Sequence, residues 1–273
     1  MKKVSAITLG MALSSVFLSS CTQGNSSQTV AATRNSGTLA LVANGEDFVR
    51  QGFVSKDGWS IKFDRVYLNV SDVTAYQMES SFEPNQGDTL ENVKYSNKVS
   101  FLDTVKTIDL AAGETNAEPI LVEQTEAPVG FYNAIAWKLT TIAGKTIGLQ
   151  GQATKEGQII NFNLGFNRPV EYLCGEFVGD DRKGIVEPDQ TGQLETTLHF
   201  DHVFGDSQTA ADDALNQDAL GFQPLADLAS GDRLKLDETS LSAKLSPENY
   251  QKLTNALVGL GHVGEGHCQV VSN

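Results

Sequence analysis

The chain has 273 residues, with 34 Asp and Glu against 20 Lys and Arg, for a formal net charge of −14. Nucleic acid is not an expected partner, because a phosphate backbone needs a basic surface. The balance suits cations or a basic partner, and equally an ordinary acidic surface kept soluble by its charge.

The amino terminus reads as a targeting segment. A short basic start precedes "VSAITLGMALSSVFLS", an apolar run rich in small residues and too short for a comfortable membrane span. It ends in "LSSC", Leu18 to Cys21, which resembles a bacterial lipobox. The resemblance implies a signal peptide over residues 1–20, cleavage before Cys21 and lipid on that cysteine. Residues 21–37 follow as a polar tether with too little apolar surface to fold. The expected location is the bacterial cell envelope, with the membrane as a partner through the lipid anchor. Thr22 stands where enteric sorting would read an aspartate, and resemblance to that sorting points to the outer membrane.

From residue 38 to about Phe200 the apolar pattern has period two. "GTLALV" opens it. In "WSIKFDRVYLNV", Trp59, Ile61 and Phe63 alternate, and Val66, Leu68 and Val70 alternate in the opposite phase. A phase change at Asp64 and Arg65 predicts a β-bulge. "GFYNAIAWKL" places Phe131, Asn133, Ile135, Trp137 and Leu139 on one face. "KEGQ" predicts a hairpin turn between "TIGLQGQA" and "IINFNLGF". "QLETTLHF" places Leu194, Thr196, Leu198 and Phe200 on one face. Successive strands without βα alternation predict an antiparallel β-sandwich over 38–200.

After Phe200 the pattern becomes helical, and residues 201–273 are expected to form a helical segment packed on the sandwich. Ser246 reads as an N-cap, Pro247 as the first helical residue, and Tyr250, Leu253 and Leu257 as the buried stripe. Gly259 and Gly261 are expected to stop this helix. "TAADDALNQDAL" and "FQPLADLA" predict shorter helical pieces. "DLASGDRLKLDE", 227–238, hints at a calcium loop, but Ala229 and Gly231 stand where carboxylates are needed, so a solvated turn is the better reading.

The chain contains only 4 histidines, and all lie in two short clusters: His199 and His202 in "HFDH", and His262 and His267 in "GHVGEGH". Neutral imidazole is the commonest side-chain metal ligand. In one continuous strand His199 and His202 would point to opposite faces, so joint ligation needs the strand to end or turn near Asp201. Asp201 and Glu265 are candidate additional ligands or orienting carboxylates. Cys174 and Cys268 remain after Cys21, and in an oxidising compartment two thiols usually pair. That bridge would tie the glycine-rich tail to the sandwich and carry one histidine cluster toward the other. Metal ligation by either thiolate is the alternative. Nitrogen ligands with a carboxylate suit Zn²⁺ first, then Cu²⁺.

The sequence lacks GxSxG, HExxH, P-loop and dinucleotide motifs, and no enzyme is expected. Three blocks, "NGEDFVRQGFVSKDGWSIKFDRV" (44–66), "LHFDHVFGD" (198–206) and "LGHVGEGHC" (260–268), resemble a family of uncharacterised bacterial cell-envelope lipoproteins. The resemblance supplies no catalytic residues, but implies that Glu46 is an additional carboxylate near the histidines. The expected role is capture, buffering or delivery of a divalent transition metal, with an envelope metal transporter or receptor as partner. The alternative is a structural or adhesive sandwich that holds a protein or glycan; Trp59, Trp137 and the tyrosines could serve its surface, though Trp59 and Trp137 also fit core positions.

Overall fold

The structure is a computed structural model and describes residues 35–175, 183–263 and 266–271. The leader, Cys21, nearly all of the tether and Glu265 lie outside the described residues. Among the described residues, no helix is long and apolar enough to cross a membrane.

The protein is mainly β, with most of its few helices toward the C-terminus. Two sheets enclose the main apolar core. The five-stranded sheet has the order Gly266–His267, Gly261–Val263, Thr191–Leu198, Ser36–Asn44 and Ile120–Pro128. The ten-stranded sheet is organised on the 19-residue strand Ser60–Met78, which pairs with Ile147–Lys155 and Ala134–Leu139. Leu39, Leu41, Leu194 and Leu198 from the first sheet meet Ile61, Leu68, Leu149 and Phe162 from the second, all essentially excluded from solvent. Each such side chain removed from water contributes about 1.5–3 kcal/mol.

Local signals hold where chemistry is local. The register of the long strand against Ile147–Lys155 shifts between Phe63 and Arg65, at the phase change in the apolar pattern. Strands Ile147–Lys155 and Gln158–Phe166 form the hairpin that "KEGQ" predicts, with Glu156 at φ 50° and Gly157 at φ 85°. Two positive φ values in succession are what a two-residue turn of the right twist requires.

Long-range pairing departs from expectation. The sheets are mixed, because Ser36–Asn44 runs parallel to Thr191–Leu198, and Gln158–Phe166 runs parallel to Arg233–Asp237. Both pairs join segments far apart in sequence, which alternation alone cannot reveal. Phe131 is not on the face of Ile135 and Trp137: it belongs to a separate short strand and is 43% exposed. Strand Ala134–Leu139 is covered on both faces, so its near-continuous burial overrides the alternation read from it.

The segment after Phe200 contributes strands as well as helices. Helix Pro247–Val258 has the expected caps: the Ser246 hydroxyl accepts the Asn249 amide at 3.2 Å, and Gly259 closes the far end. Helices Ala214–Asp218 and Gln223–Ala226 fall in the predicted pieces. Arg233–Asp237 is a strand within the acidic stretch, and Asp237 caps the following helix through the Ser240 amide rather than standing ready for a cation. Strands Gly261–Val263, Gly266–His267 and Gln269–Val271 end the chain, and the last pairs with Val170–Cys174 of the large sheet.

Candidate metal centre

Strand Thr191–Leu198 stops one residue before His199. The chain then turns, with the His202 amide donating to the His199 carbonyl at 3.3 Å, and helix Asp201–Phe204 begins. A break at this point resolves the geometric conflict in HxxH, because turning the backbone brings two side chains together that a strand would separate. The rings of His199 and His202 lie 5.9 Å apart.

The second cluster arrives by sheet pairing. Gly261–Val263 pairs with the end of Thr191–Leu198, and His262 sits directly opposite Thr197. His267 is then cross-strand from His262 in the terminal hairpin. Ring centroids are 4.0 Å apart for His199 and His262, 4.1 Å for His262 and His267, and 5.4 Å for His202 and His267. All four rings of the described chain therefore occupy one place. One ligand nitrogen from each of His199, His202 and His262 lies within 4.8 Å of the others. His267 stands at the margin of this trio, with an exposed ring and a carbonyl that accepts from Asn85 at 2.7 Å.

Two close approaches hold the hairpin in place. The disulfide Cys174–Cys268 fixes the residue next to His267 to the large sheet, so neither thiolate is a ligand. Gly261 lies against the Tyr172 ring, where a Cβ would come within 2.6 Å of a ring carbon. The Tyr172 hydroxyl donates to the Val258 carbonyl at 3.0 Å and closes the end of the long helix. Gly261 is thus a packing residue of the strand and not the helix stop that its spacing implied.

Electrostatics favour the uncharged form of His262 and His202. His262 is 1% exposed, and its Nδ1 donates to the Leu260 carbonyl at 3.0 Å. A carbonyl only accepts, so the proton is on Nδ1 and the lone pair on Nε2. Burial, then the His199 ring, bring the pKa of His262 down to about 3. Burial likewise holds His202 below the ordinary range, against the opposing pull of Asp201.

A stability prediction follows for the metal-free protein. The unfolded chain protonates a histidine below about pH 6.5, whereas folded His262 stays neutral down to about pH 3. Acid therefore favours unfolding across that window, by up to about 1.4 kcal/mol per pH unit from this ring. Thermal melts at pH 7 and pH 4.5 should show a fall in Tm that shrinks in His262→Gln. Equal falls in both proteins would refute this origin.

The carboxylates divide into three cases. Glu46 Oε1 lies 3.3 Å from His199 Nε2. It gets there through an unusual backbone: Glu46 has φ 56°, and its amide donates to the Asn44 side chain at 2.9 Å. A non-glycine residue held so costs of order 1–3 kcal/mol, a strain found mostly where geometry serves a site. Asp201 is adjacent but turned to its own backbone, accepting the His202 amide at 3.0 Å, and its carboxylate is not in the trio. Glu265 lies outside the described residues.

Sequence reasoning missed two features. The Thr197 hydroxyl is buried on the same face as His262 and has no hydrogen-bond partner among the described residues. A buried hydroxyl left so costs about 1–3 kcal/mol unless something polar reaches it. His202 and His267 also line a cleft of about 510 Å³, whose far wall includes Asp218 and Lys252. The helical spacing of Lys252, Asn255 and Gly259 was the available signal, but only the buried stripe of that helix was read.

No protein-family model, curated protein or solved structure matches the chain.

Proposed function

We propose that the protein binds a divalent transition metal, Zn²⁺ first and Cu²⁺ second, and serves capture, buffering or delivery at the bacterial cell envelope. The observation that carries this reading is the trio of ring nitrogens within 4.8 Å of one another, with His199 and His262 buried and His202 half-buried. Small side-chain rotations from that spacing would bring three nitrogens onto one ion about 2.0–2.1 Å from each. Neutrality at pH 7 leaves a lone pair on His262 with no proton to displace. Glu46 beside His199 has the place of a carboxylate that orients a ligand imidazole and offsets part of the ion's charge. His267 stands outside this trio, its ring 4.1 Å from that of His262, and leaves the fourth coordination position open. A lipid anchor at Cys21 would hold this centre at the outer membrane, within reach of an envelope transporter or receptor.

The test is calorimetric titration of Zn²⁺ and Cu²⁺ into the chelator-stripped full chain in detergent. Binding tighter than about 1 μM, near −8 kcal/mol, is expected. No binding tighter than about 10 μM would remove the proposal.

A further inference from the structure

The centre has a closed side and an open side. His199 and His262 are 7% and 1% exposed, and Glu46 backs onto His199. His202 belongs both to the trio and to the wall of the 510 Å³ cleft, and His267 lines the same cleft. Three histidines leave a four-coordinate ion one position short, and a site with an open position takes water or a ligand there. The cleft is the side from which such a ligand can enter.

Part of the cleft's lining comes from one face of helix Pro247–Val258 and its cap. Lys252, Asn255, Ala256 and Gly259 stand at spacings of three, four and seven, while Leu253 and Leu257 face the core. Ala256 and Gly259 are small and leave the cleft open at its floor. The Lys252 ammonium donates to the Gln217 carbonyl at 2.7 Å, which leaves two further N–H donors. Asn255 adds an amide, engaged by Gln251 at its oxygen and able to donate from its nitrogen. Among the described residues lining the cleft, Asp218 and Lys252 carry opposite formal charges. Beside a bound dication, the Lys252 ammonium and the Asn255 amide would make a local site for an anion.

We infer that the cleft binds a small organic dicarboxylate together with the metal, one carboxylate filling the open coordination position and the other meeting Lys252 and Asn255. This rests on the metal reading above. A volume of about 510 Å³ lies within the range of small-molecule sites.

The experiment uses Co²⁺ as a visible reporter of coordination and succinate as the probe, on the full chain in detergent. Succinate should change the cobalt absorption spectrum saturably, and should bind the metal-free chain at least about tenfold more weakly. Lys252→Gln should weaken succinate by about tenfold or more while leaving cobalt affinity within about twofold. Bound cobalt whose spectrum is blind to succinate up to about 10 mM overturns the dicarboxylate and leaves the metal centre standing. Equal succinate affinity in Lys252→Gln also overturns it. Failure of cobalt to bind removes the centre and its ligand together.

Discussion

Replacing His262 with alanine is expected to weaken Zn²⁺ binding by a hundredfold or more, about 2.7 kcal/mol. The ring is the most enclosed of the four, stacked 4.0 Å from His199 and fixed in its tautomer by Leu260. Burial also keeps it free of protons at neutral pH, so its lone pair is fully available. The truncation would leave a void beside His199 and Thr197 as well, so folding must be checked by circular dichroism. Asp201→Asn is the control, since that carboxylate engages its own helix and lies outside the trio. Its affinity should stay within about threefold of the parent. If His262→Ala binds Zn²⁺ within about threefold of the parent, the trio is not the binding site.

Cys268→Ser is expected to cost about 2–5 kcal/mol of stability. The bridge joins residues 94 apart, and in the chain-entropy description a loop of this size restrains the unfolded state by about 4–5 kcal/mol. For a chain of this size that corresponds to a fall in Tm of roughly 5–15 °C. The same change loosens the terminal hairpin in which His267 pairs with His262, so Zn²⁺ affinity should fall too, though by less than in His262→Ala. The readouts are thermal melts and titrations of Cys268→Ser beside the parent. A Tm within about 2 °C of the parent would show that the bridge adds nothing to the fold.

What the sequence disclosed follows the range of the interactions. The Glu156–Gly157 turn, the bulge near Arg65 and the Ser246 cap each depend on a few adjacent residues, and each stands where the pattern put it. The mainly β fold followed for the same reason, because alternation in Gln158–Phe166 is a local property. The parallel pairing of Ser36–Asn44 with Thr191–Leu198 was hidden, since no spacing rule connects segments so far apart. The candidate site was legible in its parts: four histidines in two clusters and a cysteine beside one of them. Thr197 and the Lys252 wall were not, because a threonine in a strand and a lysine on a helix look ordinary until a neighbour is known. Glu46 came from resemblance alone, and its positive φ gave no sign in the sequence.

The order in which the site's pieces lie along the chain has a consequence for biogenesis. Glu46 is made early, His199 and His202 more than a hundred and fifty residues later, and His262 and His267 almost at the end. The strand bearing His262 pairs with Thr191–Leu198 and with Gly266–His267. A ribosome or a translocon delivering the chain from its N-terminus therefore exposes an incomplete ligand set for nearly the whole of synthesis. Any ion the rings take up would therefore be taken up only once the end of the chain has paired, late in synthesis or after it.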